Sequence, residues 1–213
     1  MKTEQLMDLL AADASPVDPS AHDKRMGLTF AVGTAAAALI AGQAWGWRTF
    51  DAQDLATAML WLRWAFCLAV IAVAWQAVDR LARPGRSVQG LVPRVALPFG
   101  LMMMLGLAQI LAADPQDRLD LLMGSTALEC PGNIAMVSSP VFLASLWVMA
   151  RMAPTRPAWA GAAAGLLAGG IGALGYTFHC TELAAPFLSI WYVLGMAIPT
   201  VLGALIGTRL LRW

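Results

Sequence analysis

Phe178-His179-Cys180-Thr181-Glu182 is a short polar island between two long apolar runs, Ala158 to Phe178 before it and Phe187 to Thr208 after it. Two runs of that length joined by so short a connection read as antiparallel helices, each near the roughly 17 to 25 residues needed to cross a bilayer core. The island therefore marks one surface of a membrane. Upstream, Glu129-Cys130-Pro131-Gly132-Asn133 stands in the same kind of position, closing a polar loop and opening an apolar segment, and it too joins a carboxylate to a thiol.

Working outward, the rest of the chain repeats the pattern. Of 213 residues 59% are hydrophobic and 13% charged, whereas an ordinary soluble domain carries about 25% charged residues. Further apolar segments run from Met26 to Trp47, Leu55 to Val78, Leu91 to Ala113 and Asn133 to Ala150. The fold class is all-α, a polytopic bundle of six transmembrane helices in a lipid bilayer. Arg63 interrupts the second segment, so Leu55 to Leu62 is expected in the interface, with Arg63 snorkelling outward toward Asp51 and Asp54. The competing reading is a functional charge inside the membrane.

Residues 1–25 form a separate segment ahead of the membrane domain, 26–213. Glu4, Asp8, Asp13, Asp18 and Asp23 make a cleaved signal peptide unexpected there. Lys2 to Ala12 reads as a short helix that Thr3 can cap and that ends before Pro16. Leu6, Leu9 and Leu10, with Met7 beside them, give it one apolar edge. A helix so short is marginal alone in water, and it is expected to fold on a partner or on the membrane surface.

Charge placement orients the bundle. Eleven basic residues, from Lys2, Lys24 and Arg25 through Arg80 to Arg212, lie before the first segment, in the second and fourth connections or at the C-terminus; the other connections hold Arg48 and Arg118. The positive-inside rule then makes both termini cytoplasmic and puts Cys130 and Cys180 on the outer face. Tyr176, Trp191 and Tyr192 are assigned to an outer aromatic belt, and Trp75, Trp147 and Trp159 to an inner one. In the third connection, Asp114 and Pro115 are expected to start a surface helix that carries Leu119, Leu122 and Met123 and ends at Gly124. Gly161-x3-Gly165-x3-Gly169 and Gly203-x3-Gly207 permit close helix approach and read as tight bundle packing.

The candidate chemistry lies in Cys130 and Cys180, with Glu129, His179 and Glu182 as auxiliaries. A protonated His179 would favour a thiolate at Cys180, the helix that follows Cys130 would act likewise there, and the two carboxylates would oppose this. Three readings stay open: a permanent disulfide staple, a redox switch, or a transient site for a soft divalent metal ion. Cys67 reads as a small core or lipid-facing residue, and His22 as a solvated side chain in a linker. No nucleophile–base pair, phosphate loop or metalloprotease motif is visible, so catalysis is not expected.

The opening Met1-Lys2-Thr3 with Leu6, Leu9-Leu10 and Ala11-Ala12-Asp13-Ala14, then Glu129-Cys130 with Asn133-Ile134, Ala153-Pro154-Thr155-Arg156-Pro157, His179-Cys180-Thr181-Glu182, Trp191-Tyr192 and the ending Arg209-Leu210-Leu211-Arg212-Trp213 resemble the NrsF family, negative regulators of sigma F. The resemblance implies a six-span inner-membrane anti-sigma factor that holds an extracytoplasmic-function sigma factor inactive, without contacting nucleic acid itself. It also implies an external cysteine pair, here Cys130 and Cys180, required for the response to heavy-metal or oxidative stress. The tail edge at Leu6, Met7, Leu9 and Leu10 would then dock the sigma factor helix-in-groove. A membrane thiol oxidoreductase would use the same cysteines but needs a second redox pair or a quinone site. A small-solute transporter would draw on Arg63 and Gln109.

Overall fold

The structure, a computed structural model, describes residues 3, 5, 7, 21–46, 50–83 and 85–212. In chain order its elements are α1 (Ala21–Trp45), α2 (Ala52–Ala56), α3 (Ala58–Ala82), α4 (Leu91–Ala112), α5 (Arg118–Met123), α6 (Cys130–Ala150), α7 (Pro157–Tyr176) and α8 (Ala185–Leu210). Five of these, α3, α4, α6, α7 and α8, are long and apolar enough to cross a membrane. Helix α1 matches α3 in length, and Phe30–Trp45 is its apolar part. Inside α8, a π turn at Leu188–Tyr192 interrupts the α-helical ladder.

The long helices alternate in direction. The end of α1, the start of α3, the end of α4, the start of α6, the end of α7 and the start of α8 meet at one end of the bundle: Trp45 stacks on His179, Arg63 bonds to the main chain of Cys180, and Gln109 bonds to Ala185. Alternation places Arg80, Arg94, Arg151, Arg156 and Arg209 toward the opposite end. Both cysteine-bearing stretches thus share one end, and most of the basic residues share the other.

Helix α7 is the centre. In its most apolar 18-residue stretch 72% of residues are buried, against 17% in α4, whose Val92, Leu97, Leu101, Met104 and Leu111 face outward as lipid-facing residues would. What allows α7 to be surrounded is the absence of side chains. A methyl built on Gly161 would overlap the carbonyl oxygen of Gly203, one on Gly165 would overlap that of Pro199, and one on Gly169 would lie 2.9 Å from Met196 Cα. The two glycine rows therefore do face each other, with backbone against backbone, which is how helices associate where lipid removes the hydrophobic incentive. On its other faces α7 packs on α6 at Gly172 and on α3 at Gly170.

Several expectations change. Arg63 does not snorkel: it is 0% exposed, inside an unbroken α3. Asp51 and Asp54, which were to draw it outward, instead cap α2 together; Asp51 Oδ1 accepts from the Asp54 amide at 2.8 Å, and Asp54 reaches back to the Asp51 amide. Tyr176 and Tyr192 are core residues, 1% and 0% exposed, not members of a belt. The surface helix of the third connection starts later than Asp114, with Asp117 as its N-cap residue, but it does end at Gly124, and Trp191 Nε1 holds it by donating to the Leu122 carbonyl at 2.8 Å. His22 falls within α1 rather than in a linker. Leu6, Leu9 and Leu10 lie outside the described residues; Met7 is helical and exposed.

Candidate functional site

Between α7 and α8 the backbone leaves the helix from Thr177 to Ala184. Non-helical backbone at the edge of a membrane domain must have its polar groups satisfied by protein. Arg63 does much of this. Its Nη1 donates to the carbonyls of Cys180 (2.9 Å) and Glu182 (3.0 Å), and its Nη2 to the carbonyl of Thr177 (3.0 Å), the residue that caps the C-terminus of α7. The C-terminal carbonyls of a helix carry partial negative charge and lack intrahelical donors, so a cation there gains both hydrogen bonds and the helix dipole. The neighbouring Trp64 adds a second tie, with Nε1 donating to Thr177 Oγ1 at 3.1 Å.

The cysteines gather beneath this tie. Cys130 opens α6 and is fully buried; Cys180 is 2% exposed. The two lie within electrostatic reach of each other and of Arg63, and all three cysteines are thiols in this structure. Expectation put both in the outer water layer, and the fold instead seals them into the end of the bundle. Cys67 joins them from below, one helical turn after Arg63, fully buried rather than lipid-facing. Tyr192, the last residue of the π turn, borders the same group, and its ring centroid stands 6.2 Å from that of Tyr176.

The auxiliary residues are turned to other work. His179 stacks on Trp45, ring centroids 5.3 Å apart, and leans on Tyr176. Glu182 sends its carboxylate across to the third connection, where Oε1 accepts from the Ser125 amide at 2.8 Å and the Ser125 hydroxyl at 2.6 Å. Gly124 leaves room for it: a methyl there would lie 2.7 Å from Glu182 Cδ, and the residue's φ of +51° itself favours glycine. Glu129 is exposed at the N-cap of α6. Among the described residues no three His, Cys, Asp or Glu side chains are gathered as a metal-ion ligand set.

Sequence reasoning missed Arg63 as a holder of this loop, along with Gln109, Thr177 and Tyr192. Gln109 Oε1 accepts from the Ala185 amide at 2.9 Å, satisfying one of the open donors at the start of α8. A signal for Arg63 was available, because an arginine inside a span is rare and is functional by default. The site can therefore do two things: hold a thiol pair away from water, and tie the backbone of one of those thiols to another helix.

Comparison with known proteins adds the remaining finding. The family model described as NrsF, negative regulator of sigma F, matches residues 10–213. Over the whole of both chains the protein is similar to the probable anti-sigma-F factor NrsF of Azospira oryzae, at 40% identity, and to the anti-sigma-F factor NrsF of Caulobacter vibrioides, at 36%. No solved structure matches.

Proposed function

Because the chain belongs to the NrsF family of negative regulators of sigma F, we propose that it holds an extracytoplasmic-function sigma factor inactive at the bacterial inner membrane and releases it when the Cys130–Cys180 pair changes state. The observation that carries this reading is the coincidence of a full-length match to anti-sigma-F factors with a buried thiol pair at one end of the bundle. The clustering of basic residues at the opposite end supports cytoplasmic termini and a six-span topology, with α1 as the first span. Arg63 and Gln109, which a solute path would use, are both engaged by main chain.

With His179 and Glu182 occupied elsewhere, the thiol pair is itself the reactive unit. Its conversion forms one S–S bond and breaks two S–H bonds; hydrogen peroxide accepts the two electrons and two protons, its O–O bond breaks and it leaves as two waters. A soft divalent ion acting on the same two sulfurs is the other inducer class to be tried.

The sigma factor is bound by the tail, through the edge formed by Leu6, Met7, Leu9 and Leu10. Replacing Leu6→Asp and Leu10→Asp together tests this by co-purification with the sigma factor. Each buried leucine is worth roughly 1.5 to 3 kcal/mol, so affinity should fall about a hundredfold or more while membrane insertion is kept. Unchanged affinity would move the binding surface to the inner connections.

A further inference from the structure

We infer that Arg63 is the transmitter of the cysteine site: its guanidinium fastens the main chain of Cys180 to α3, so that a change at the Cys180 sulfur is delivered through α3 to α1 and the tail. The inference rests on the sensing role proposed for Cys130 and Cys180, and the test below separates the two.

A buried cation is an expensive way to fill space, and replacing such groups by apolar ones of similar volume is often neutral or stabilising. Packing alone therefore gives no reason for an arginine at 0% exposure. What an arginine supplies is a planar fork of fixed geometry. Here the fork holds the carbonyls of Thr177, Cys180 and Glu182 at once, each at 2.9 to 3.0 Å. A disulfide restricts the Cα atoms of its cysteines to about 5.5–6 Å apart, so forming one puts a new constraint on the Cys180 backbone that the fork holds. One rigid plane cannot follow one carbonyl and keep the other two.

A switch also needs somewhere else to go. Two buried polar atoms at the border of this group, Arg63 Nε and the Tyr192 hydroxyl, have no hydrogen-bond partner among the described residues. One is a donor of the guanidinium itself that is not yet used and the other a hydroxyl oxygen able to accept, and coupling needs an element with two discrete arrangements. From Arg63 the path runs along α3, whose Val70 and Ile71 fit against Gly170 of α7 and whose Trp75 meets Phe30 of α1 edge-on, ring centroids 4.9 Å apart. In the sequence, α1 follows the tail.

The test compares Arg63→Gln, Arg63→Lys and a Cys130→Ser/Cys180→Ser double variant in whole cells. Sigma-dependent transcription is read with and without hydrogen peroxide, alongside thiol trapping and protein level. In Arg63→Gln, trapping should still show Cys130 and Cys180 oxidised while the induction ratio collapses to unity. Full induction with normal trapping would overturn the inference, and so would loss of oxidation itself, since Arg63 would then act on reactivity rather than transmission. Should Arg63→Gln fail to accumulate, Arg63→Lys decides: it keeps the charge without the fork, so an induction ratio below the parent's is expected and an undiminished one overturns the idea. Induction surviving in the double cysteine variant would instead remove the sensing role, whatever Arg63 does.

Discussion

Helix α7 is gripped in two opposite ways. Along the α8 seam it is held by the absence of side chains, Gly161 against Gly203 and Gly165 against Pro199, with nothing between two backbones. At its C-terminus it is held by one of the longest side chains available, reaching from α3 to three carbonyls. The seam is steric, and a change of register would drive backbone into backbone. The Arg63 tie is directional, with donors that can be exchanged for others. The two kinds of grip stand on different stretches of the same helix.

The most damaging change is to fill the seam. Gly165→Val would place a branched side chain where the Pro199 carbonyl stands, and the obstacle is backbone that cannot rotate away. The expected loss is about 3 kcal/mol or more, at or beyond the upper end of the usual range for overpacking. Gly100→Ala is the control, since nothing lies within 4 Å of that position in α4. It should raise stability by about 0.5 to 1 kcal/mol through lost backbone freedom in the unfolded state. Thermal unfolding in detergent reads both, and equal effects would mean that the seam is not close-packed.

On the polar side, Gln109→Leu is expected to have an intermediate effect. It leaves the Ala185 amide without its acceptor at the start of α8, beside a helix that lipid surrounds. An orphaned buried donor costs about 1–3 kcal/mol. Gln109→Glu, which keeps an oxygen acceptor, should recover part of the loss. A Leu variant as stable as the parent would show that water replaces Gln109, and that this end of the bundle is wetter than the seam.

The two grips also differ in how visible they were beforehand. The glycine rows announced themselves, because spacing by four puts residues on one helical face and only small side chains permit contact there. Five membrane-length apolar helices, the shared end for Cys130 and Cys180 and the stop at Gly124 were legible for similar reasons: each follows from local patterns. The Arg63 tie was not. Its acceptors are main-chain carbonyls 114 to 119 residues away, and a carbonyl leaves no trace in a sequence. The nearby Asp51 and Asp54 supplied a false partner, having the right charge at the right distance in sequence while being committed to their own capping box. Burial of the thiols was equally hidden, because their neighbours Arg63, Tyr176 and Tyr192 come from three different helices, and no local signal distinguishes a cysteine at a helix end in water from a buried one.

The smallest expected effect sharpens where the tie ends. Glu182 is tied on two sides at this end of the bundle: its carbonyl accepts from Arg63, and its carboxylate accepts twice from Ser125. If the carboxylate were part of the same switch, loosening it would disturb the response to peroxide. Ser125→Ala removes the hydroxyl donor but keeps the backbone amide at 2.8 Å, at an exposed position where water can take the vacated place. A hydrogen bond to a charged group is worth about 1.5 to 3 kcal/mol net, and exposure with a water at hand brings this one well below that range. The expected result is a shift in stability of about 0.5 kcal/mol, with induction unchanged. Thermal unfolding and the peroxide-responsive reporter, measured on the same variant, check both halves. A lost or constitutive response at normal stability would extend the proposed switch from Arg63 and the Cys180 backbone into the third connection, and would bring α5, held by Trp191, into it.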